Sequence, residues 1–105
     1  MSKGILGEGT YMRYNFEWDP AKAKRNIRKH KVTFQRATTI FRDPNAISIF
    51  DENHSENEDR WITIGLDGNG VLLIVSHTVK VANELSYEIR IISARKATKS
   101  ESKQY

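Results

Sequence analysis

Two alternating apolar runs, Arg60 to Leu66 and Val71 to Val79, are separated only by Asp67-Gly68-Asn69-Gly70. A period of two on both sides of an Asp-Gly/Asn-Gly turn dictates an antiparallel hairpin. The second run is almost continuously apolar, which places it inside a sheet and not at its edge. A shorter run, Ala46 to Phe50, precedes the pair, and Ser86 to Arg95 follows it after a loop at Lys80 to Glu84. Four strands in antiparallel succession are therefore expected.

Upstream of these strands the period is helical. Arg13 to Trp18 alternates and forms a strand that turns Tyr14, Phe16 and Trp18 towards the core. Asp19-Pro20 then opens a helix running to about His30, since the aspartate can accept from free amides and proline at the first position loses no hydrogen bond. Its apolar stripe is thin: Ala23, Ile27 and His30. Thr33 caps a second helix with Phe34, Ala37, Thr38 and Phe41 on one face, and Asp43-Pro44-Asn45 ends it. Thr98 with Glu101 forms a capping box for a terminal helix, Lys99 to Tyr105. Helices followed by strands predict an α+β fold, with two N-terminal helices on one face of a mainly antiparallel sheet and a short C-terminal helix. The other face is then free to carry ligands. Residues 1–11, with three glycines and no periodicity, read as a disordered or artificially added leader, and 12–105 as a single domain.

Charge narrows the function. The chain carries 17 Lys and Arg against 13 Asp and Glu, a net +4, which favours an acidic or polyanionic partner. Six of the basic residues fall in ten positions: Lys22, Lys24, Arg25, Arg28 and Lys29 on the first helix, and Lys31 directly after it. No acid interleaves with them at helical spacing, so the face is a footprint for phosphates or for an acidic surface. The absence of cysteine removes disulfides, thiol catalysis and thiolate metal sites together. Between Asp51 and Asp59 five acids accompany His54, but without ligand spacing, and the segment reads as a polar loop or one-turn helix with no metal or cofactor. No apolar run reaches the roughly 18 residues that span a bilayer, nor is a signal peptide visible, so a cytoplasmic protein is expected.

Phe16-Glu17-Trp18-Asp19-Pro20, with Lys22 and Asn26, is followed by Lys29-His30, Val32-Thr33-Phe34, Phe41 and Asp43-Pro44. Arg60-Trp61-Ile62-Thr63-Ile64-Gly65 comes next, and Arg90-Ile91-Ile92-Ser93-Ala94-Arg95-Lys96-Ala97-Thr98 with Glu101 and Tyr105 closes the set. In this order and spacing the chain resembles the BrnT family, the toxins of BrnT/BrnA toxin–antitoxin pairs. The resemblance implies a RelE-like ribonuclease fold, RNA cleavage that inhibits translation, and neutralisation by a BrnA-like antitoxin. It also implies that operator DNA is bound only through the antitoxin complex.

Metal-independent RNA cleavage needs a base for the 2′-hydroxyl, an acid for the leaving 5′-oxygen and cations for the phosphate. Arg60, Arg90 and Arg95 are the candidate phosphate clamps and His77 the candidate acid or base, with Lys29 and His30 as further catalytic candidates and Glu58 as a weaker one. Lys22, Arg25, Arg28 and Lys96 are expected to bind RNA or a partner. Alternation along the last strand separates Arg90 from Arg95 onto opposite faces unless a bulge or the strand end intervenes; if only one of them reaches the open side, Arg90 is the one preferred. The competing readings are a basic module that binds an acidic protein or nucleic acid without chemistry, and a subunit whose charge serves solubility alone.

Overall fold

A computed structural model describes the backbone of residues 2–7 and 10–105 and the side chains from Arg13 onward. The whole of the expected leader lies outside the described side chains. Its backbone at Ser2–Gly7 (β1) pairs antiparallel with Thr10–Glu17 (β2), adding an edge strand that periodicity did not disclose.

The remaining elements follow the expected order. Helices Pro20–His30 (α1) and Phe34–Thr39 (α2) come first, the latter continuing as a 3₁₀ turn through Ile40–Arg42. Strands Ile47–Phe50 (β3), Arg60–Leu66 (β4), Leu72–Asn83 (β5) and Ser86–Lys96 (β6) form the meander, and Lys99–Ser102 (α3) closes the chain. The hairpin between β5 and β6 is tighter than expected: both strands extend until Asn83 faces Ser86, leaving Glu84 and Leu85 to turn. The sheet runs β1-β2-β6-β5-β4-β3, antiparallel throughout except where β2 lies parallel to β6. An α+β class is thus established.

The caps behave as their chemistry requires. Asp19 accepts from the amide of Ala21, Thr33 from that of Arg36, and Thr98 and Glu101 complete the capping box. Between sheet and helices lies the core of Val32, Phe34, Ala37, Ile40, Leu73, Val75, Ile89, Ile91 and Ala94, with Phe16 and Trp18 packed at its border. Burying each large aliphatic or aromatic side chain here contributes roughly 1.5–3 kcal/mol.

The stripe of α1 differs from the expected one. Ile27 is exposed, and the residue turned inward is Asn26, at 6% exposure. Beyond Glu17 the edge of β6 has lost its β2 partner, and Asn26 replaces it: the side-chain amide donates to the carbonyls of Ala94 (2.8 Å) and Val32 (2.9 Å), and its oxygen accepts from the Ala94 amide (3.1 Å). Hydrogen-bond demand therefore outweighs hydrophobicity in choosing which face of α1 is buried.

Candidate active site

Register divides the sheet into two faces. On the helix side lie Leu73, Val75, His77 and Val79, opposite Lys96, Ala94, Ile91 and Ile89. The far face carries Ile74 opposite Arg95, Ser76 opposite Ser93 and Thr78 opposite Arg90. Pairing steps from Ser76/Ser93 to His77/Ile91, so Ile92 is an extra residue in β6. This bulge inverts parity along the strand and returns Arg90 and Arg95 to the same face.

Three strands then align a cationic row. Arg60 pairs with Thr78, Thr78 with Arg90, and Arg90 with Glu17 of β2. With strands ~4.8 Å apart, Arg60 and Arg90 start about 10 Å apart, and both side chains are long enough to converge. They meet at Glu58: Arg90 NH2 donates to Glu58 Oε1 in a short hydrogen bond, and Arg60 NH2 stands 3.8 Å from the same oxygen. Nε of Arg60 is buried and has no hydrogen-bond partner among the described residues. The arginine pair thus retains an unused donor. Beside it the 51–59 segment, with one 3₁₀ turn at Glu52–His54, walls a depression of about 330 Å³ lined by Asn53, His54, Glu56, Asn57, Glu58 and Arg60. Among the described residues no cluster of three His, Cys, Asp or Glu side chains is placed to hold a metal ion.

A second basic groove adjoins the bulge. Lys22, Arg25, Lys29 and His30 of α1 face Ile92 and Ser93 across a cleft of about 310 Å³, with Asn26 at its base. Arg28 is exposed on α1 outside this lining, and Lys96 falls on the helix side by register.

Arg95 is on the same face as Arg90 but is engaged. Its NH1 and NH2 each donate to one oxygen of Glu101 at 2.7 Å, a fork that holds α3 to the sheet and lowers the Glu101 carboxyl to about 2. Tyr105 donates to Asp43, tying down the far end of this segment. Ile64 and Ile74 share the face and are nearly buried beside Arg95, at 6% and 8% exposure.

His77 departs most from expectation. It lies on the helix side at 1% exposure, edge-on to Phe41 at 4.9 Å, away from the arginine row. Its Nδ1 stands 3.2 Å from the Thr78 carbonyl and its Nε2 2.6 Å from Thr63 Oγ1. A carbonyl only accepts, so Nδ1 carries the proton and Nε2 accepts from threonine. Burial, opposed by the hydrogen bond to Thr78, lowers this imidazole to about 4. The ring is a neutral structural member, not a poised acid or base. The alternation Leu73, Val75, His77 carries that signal, because it sets the histidine among core residues.

This burial has a pH consequence. With a folded value of about 4 against 6.5 unfolded, the unfolded chain binds the proton first as pH falls. Stability is therefore complete above pH 6.5 and declines between 6.5 and about 4 by a total of about 3 kcal/mol. Urea unfolding across that window measures it, and His77→Gln is expected to flatten the profile there. The Glu101 contribution is lost lower, as pH falls from 4.5 to about 2, which separates the two groups.

With this geometry in place, comparison with known families gives one match: residues 18–101, which is 84 of the 105, fit the family described as "Ribonuclease toxin, BrnT, of type II toxin-antitoxin system". The chain belongs to the BrnT family. A search of curated proteins finds no match. As a BrnT-type ribonuclease toxin of a type II toxin–antitoxin system, it has an antitoxin protein as its family-assigned partner. The matched span contains α1, the bulge of β6 and the Arg60–Glu58–Arg90 constellation. No helix of the described residues is long and apolar enough to cross a membrane.

Proposed function

We propose that this BrnT protein is an RNA endonuclease whose phosphate clamp is Arg60 and Arg90. The observation that carries this reading is the convergence of both guanidiniums on one carboxylate oxygen, with Arg60 Nε still unpartnered. A carboxylate and a phosphodiester oxygen present the same acceptor geometry to arginine, so Glu58 marks where a phosphate is received. Phosphate entry displaces Glu58 from Arg90, and the freed carboxylate, beside the bound phosphate, takes the 2′-hydroxyl proton. The 2′-oxygen bonds to phosphorus, the bond to the 5′-oxygen breaks, and a 2′,3′-cyclic phosphate and a free 5′-hydroxyl result. Guanidinium donors stabilise the charge that gathers on the phosphoryl oxygens, without a metal ion.

The cleft of Lys22, Arg25, Lys29 and His30 continues the positive track past Ser93 and holds the strand on the leaving side, where His30 or Lys29 supplies the proton to the 5′-oxygen. Arg28 adds long-range attraction to RNA, whereas Arg95 acts by anchoring α3. The succession of helices and antiparallel strands supports a RelE-like arrangement. Its antitoxin is of BrnA type, operator DNA is bound through that partner, and the setting is the cytoplasm.

Incubation of the purified chain with end-labelled RNA tests the reaction. Cleavage is expected to leave 2′,3′-cyclic phosphate ends and to stop at any position carrying a 2′-deoxyribose, because the nucleophile is then missing. Retention of RNA with no fragments supports the binding-module reading instead, and cleavage of the deoxy-substituted position refutes the 2′-hydroxyl mechanism.

A further inference from the structure

On the helix side of the sheet, beyond the reach of α1 and α2, a pocket of about 430 Å³ is lined by Ser48, Asp59, Trp61, His77, Val79 and Tyr87. The reaction proposed above uses none of these groups. A hydrogen-bond chain enters the pocket from the core. His77 Nε2 accepts from Thr63, so the Thr63 oxygen is left to accept from Ser48, whose Oγ stands 2.7 Å away. Ser48 has then spent its proton inward, and only its lone pairs face outward. Asp59 is a second acceptor, exposed and without an ion pair among the described residues. Trp61 and Tyr87 supply aromatic surface, with Phe50 edge-on to Trp61 at 5.3 Å.

A pocket in which Ser48 and Asp59 turn acceptors towards the rings of Trp61 and Tyr87 suits a donor-rich, planar cation. A guanidinium meets all three demands, through hydrogen bonds, charge and stacking. Nucleic acid fits poorly, because Asp59 lines the pocket with no cation paired to it among the described residues, and Asp51, Glu52 and Glu56 of the adjoining segment add negative charge that repels phosphates. The pocket also adjoins the outer edge of β3, the last strand of the sheet, whose four residues are all exposed and whose outward amides and carbonyls pair with nothing among the described residues. Such an edge accepts an added strand.

We propose that the β3 edge and this pocket receive an extended, basic segment of a protein partner, pairing main chain to main chain along Ile47–Phe50. One arginine of that segment seats against Trp61 and Tyr87 with its guanidinium on Asp59 and Ser48. The inference is independent of the cleavage reading, since it uses the opposite face. His77 and Thr63 act as positioning residues that fix the direction of the Ser48 hydroxyl.

The test is an NMR titration of the isotope-labelled full chain with synthetic peptides of alternating threonine and valine. One carries a central arginine, a twin carries leucine there, and a third is the arginine peptide with N-methylated backbone on its pairing edge. The arginine peptide is expected to shift the Trp61 indole N–H and the amides of β3. Asp59→Asn is expected to weaken it about tenfold, in line with loss of one interfacial charge pair, and the N-methylated peptide to lose binding. Equal binding of the leucine twin overturns the cation site. Shifts of the same signals by a single-stranded oligonucleotide but not by the peptide overturn the choice of partner, and no shift with any peptide refutes the proposal.

Discussion

Arg90→Ala is expected to reduce RNA cleavage about 10²- to 10³-fold, the range found when one donor to a developing oxyanion is removed. Arg90 donates to Glu58 and is aligned through Thr78 with Arg60, so its loss opens one side of the proposed clamp and leaves Glu58 to the remaining arginine. Folding is expected to change by less than about 1 kcal/mol, because the side chain is 39% exposed and a surface ion pair contributes little. Single-turnover cleavage of a labelled RNA, with urea unfolding of the same preparation, separates the two effects. Arg90→Lys restores charge without the fork and is expected to recover only a part of the rate. Arg95→Ala is the contrasting variant: it frees α3 by breaking the fork to Glu101 and is expected to alter stability more than the chemical step. If Arg90→Ala cleaves at the parental rate, the clamp lies elsewhere.

Asn26→Ala is expected to destabilise the fold by about 3–5 kcal/mol, since it strands three buried backbone groups that each cost roughly 1–3 kcal/mol when unpaired. Those groups are the Val32 carbonyl and both the amide and the carbonyl of Ala94. Against a usual total of about 5–15 kcal/mol this is a large share, and a fall in the urea midpoint measures it. Asn26→Asp is expected to be no better, because a carboxylate oxygen would replace the amide nitrogen against two carbonyls. A loss below about 1 kcal/mol for either variant would mean that water or backbone shifts satisfy these groups, which sets the scale of the test. Because α1 also carries the basic cleft, loosening it is expected to weaken RNA binding in parallel.

Local chemistry made the elements legible. Asp19-Pro20, Thr33 and Thr98 with Glu101 announce helix starts that the structure keeps, and the Asp67 to Gly70 turn joins β4 to β5 as the alternation requires. Arg60 and Arg90 are visible as cations within strands that otherwise bury aliphatics. Glu58 was harder to weigh, because its partner Arg90 is 32 residues away and only folding brings the acid to both arginines. The inward turn of Asn26 was equally hidden: it answers an unpaired edge of β6 created by the end of β2, 68 residues distant from its main partner.

By itself the sequence determined the α+β class, the order of the elements from β2 onward, their caps and a basic first helix, all of which depend on residues within a few positions of one another. Its resemblance to BrnT toxins also gave the family that the 18–101 match establishes. Tertiary structure decided which of the charged and titratable groups share a face. One extra residue at Ile92 brings Arg90 and Arg95 to the same side, and the register of β4 on β5 sends Arg60 and His77 to opposite sides. The reason is physical: alternation fixes a side chain's direction only relative to its own strand, whereas bulges and register arise from pairing between strands distant in sequence.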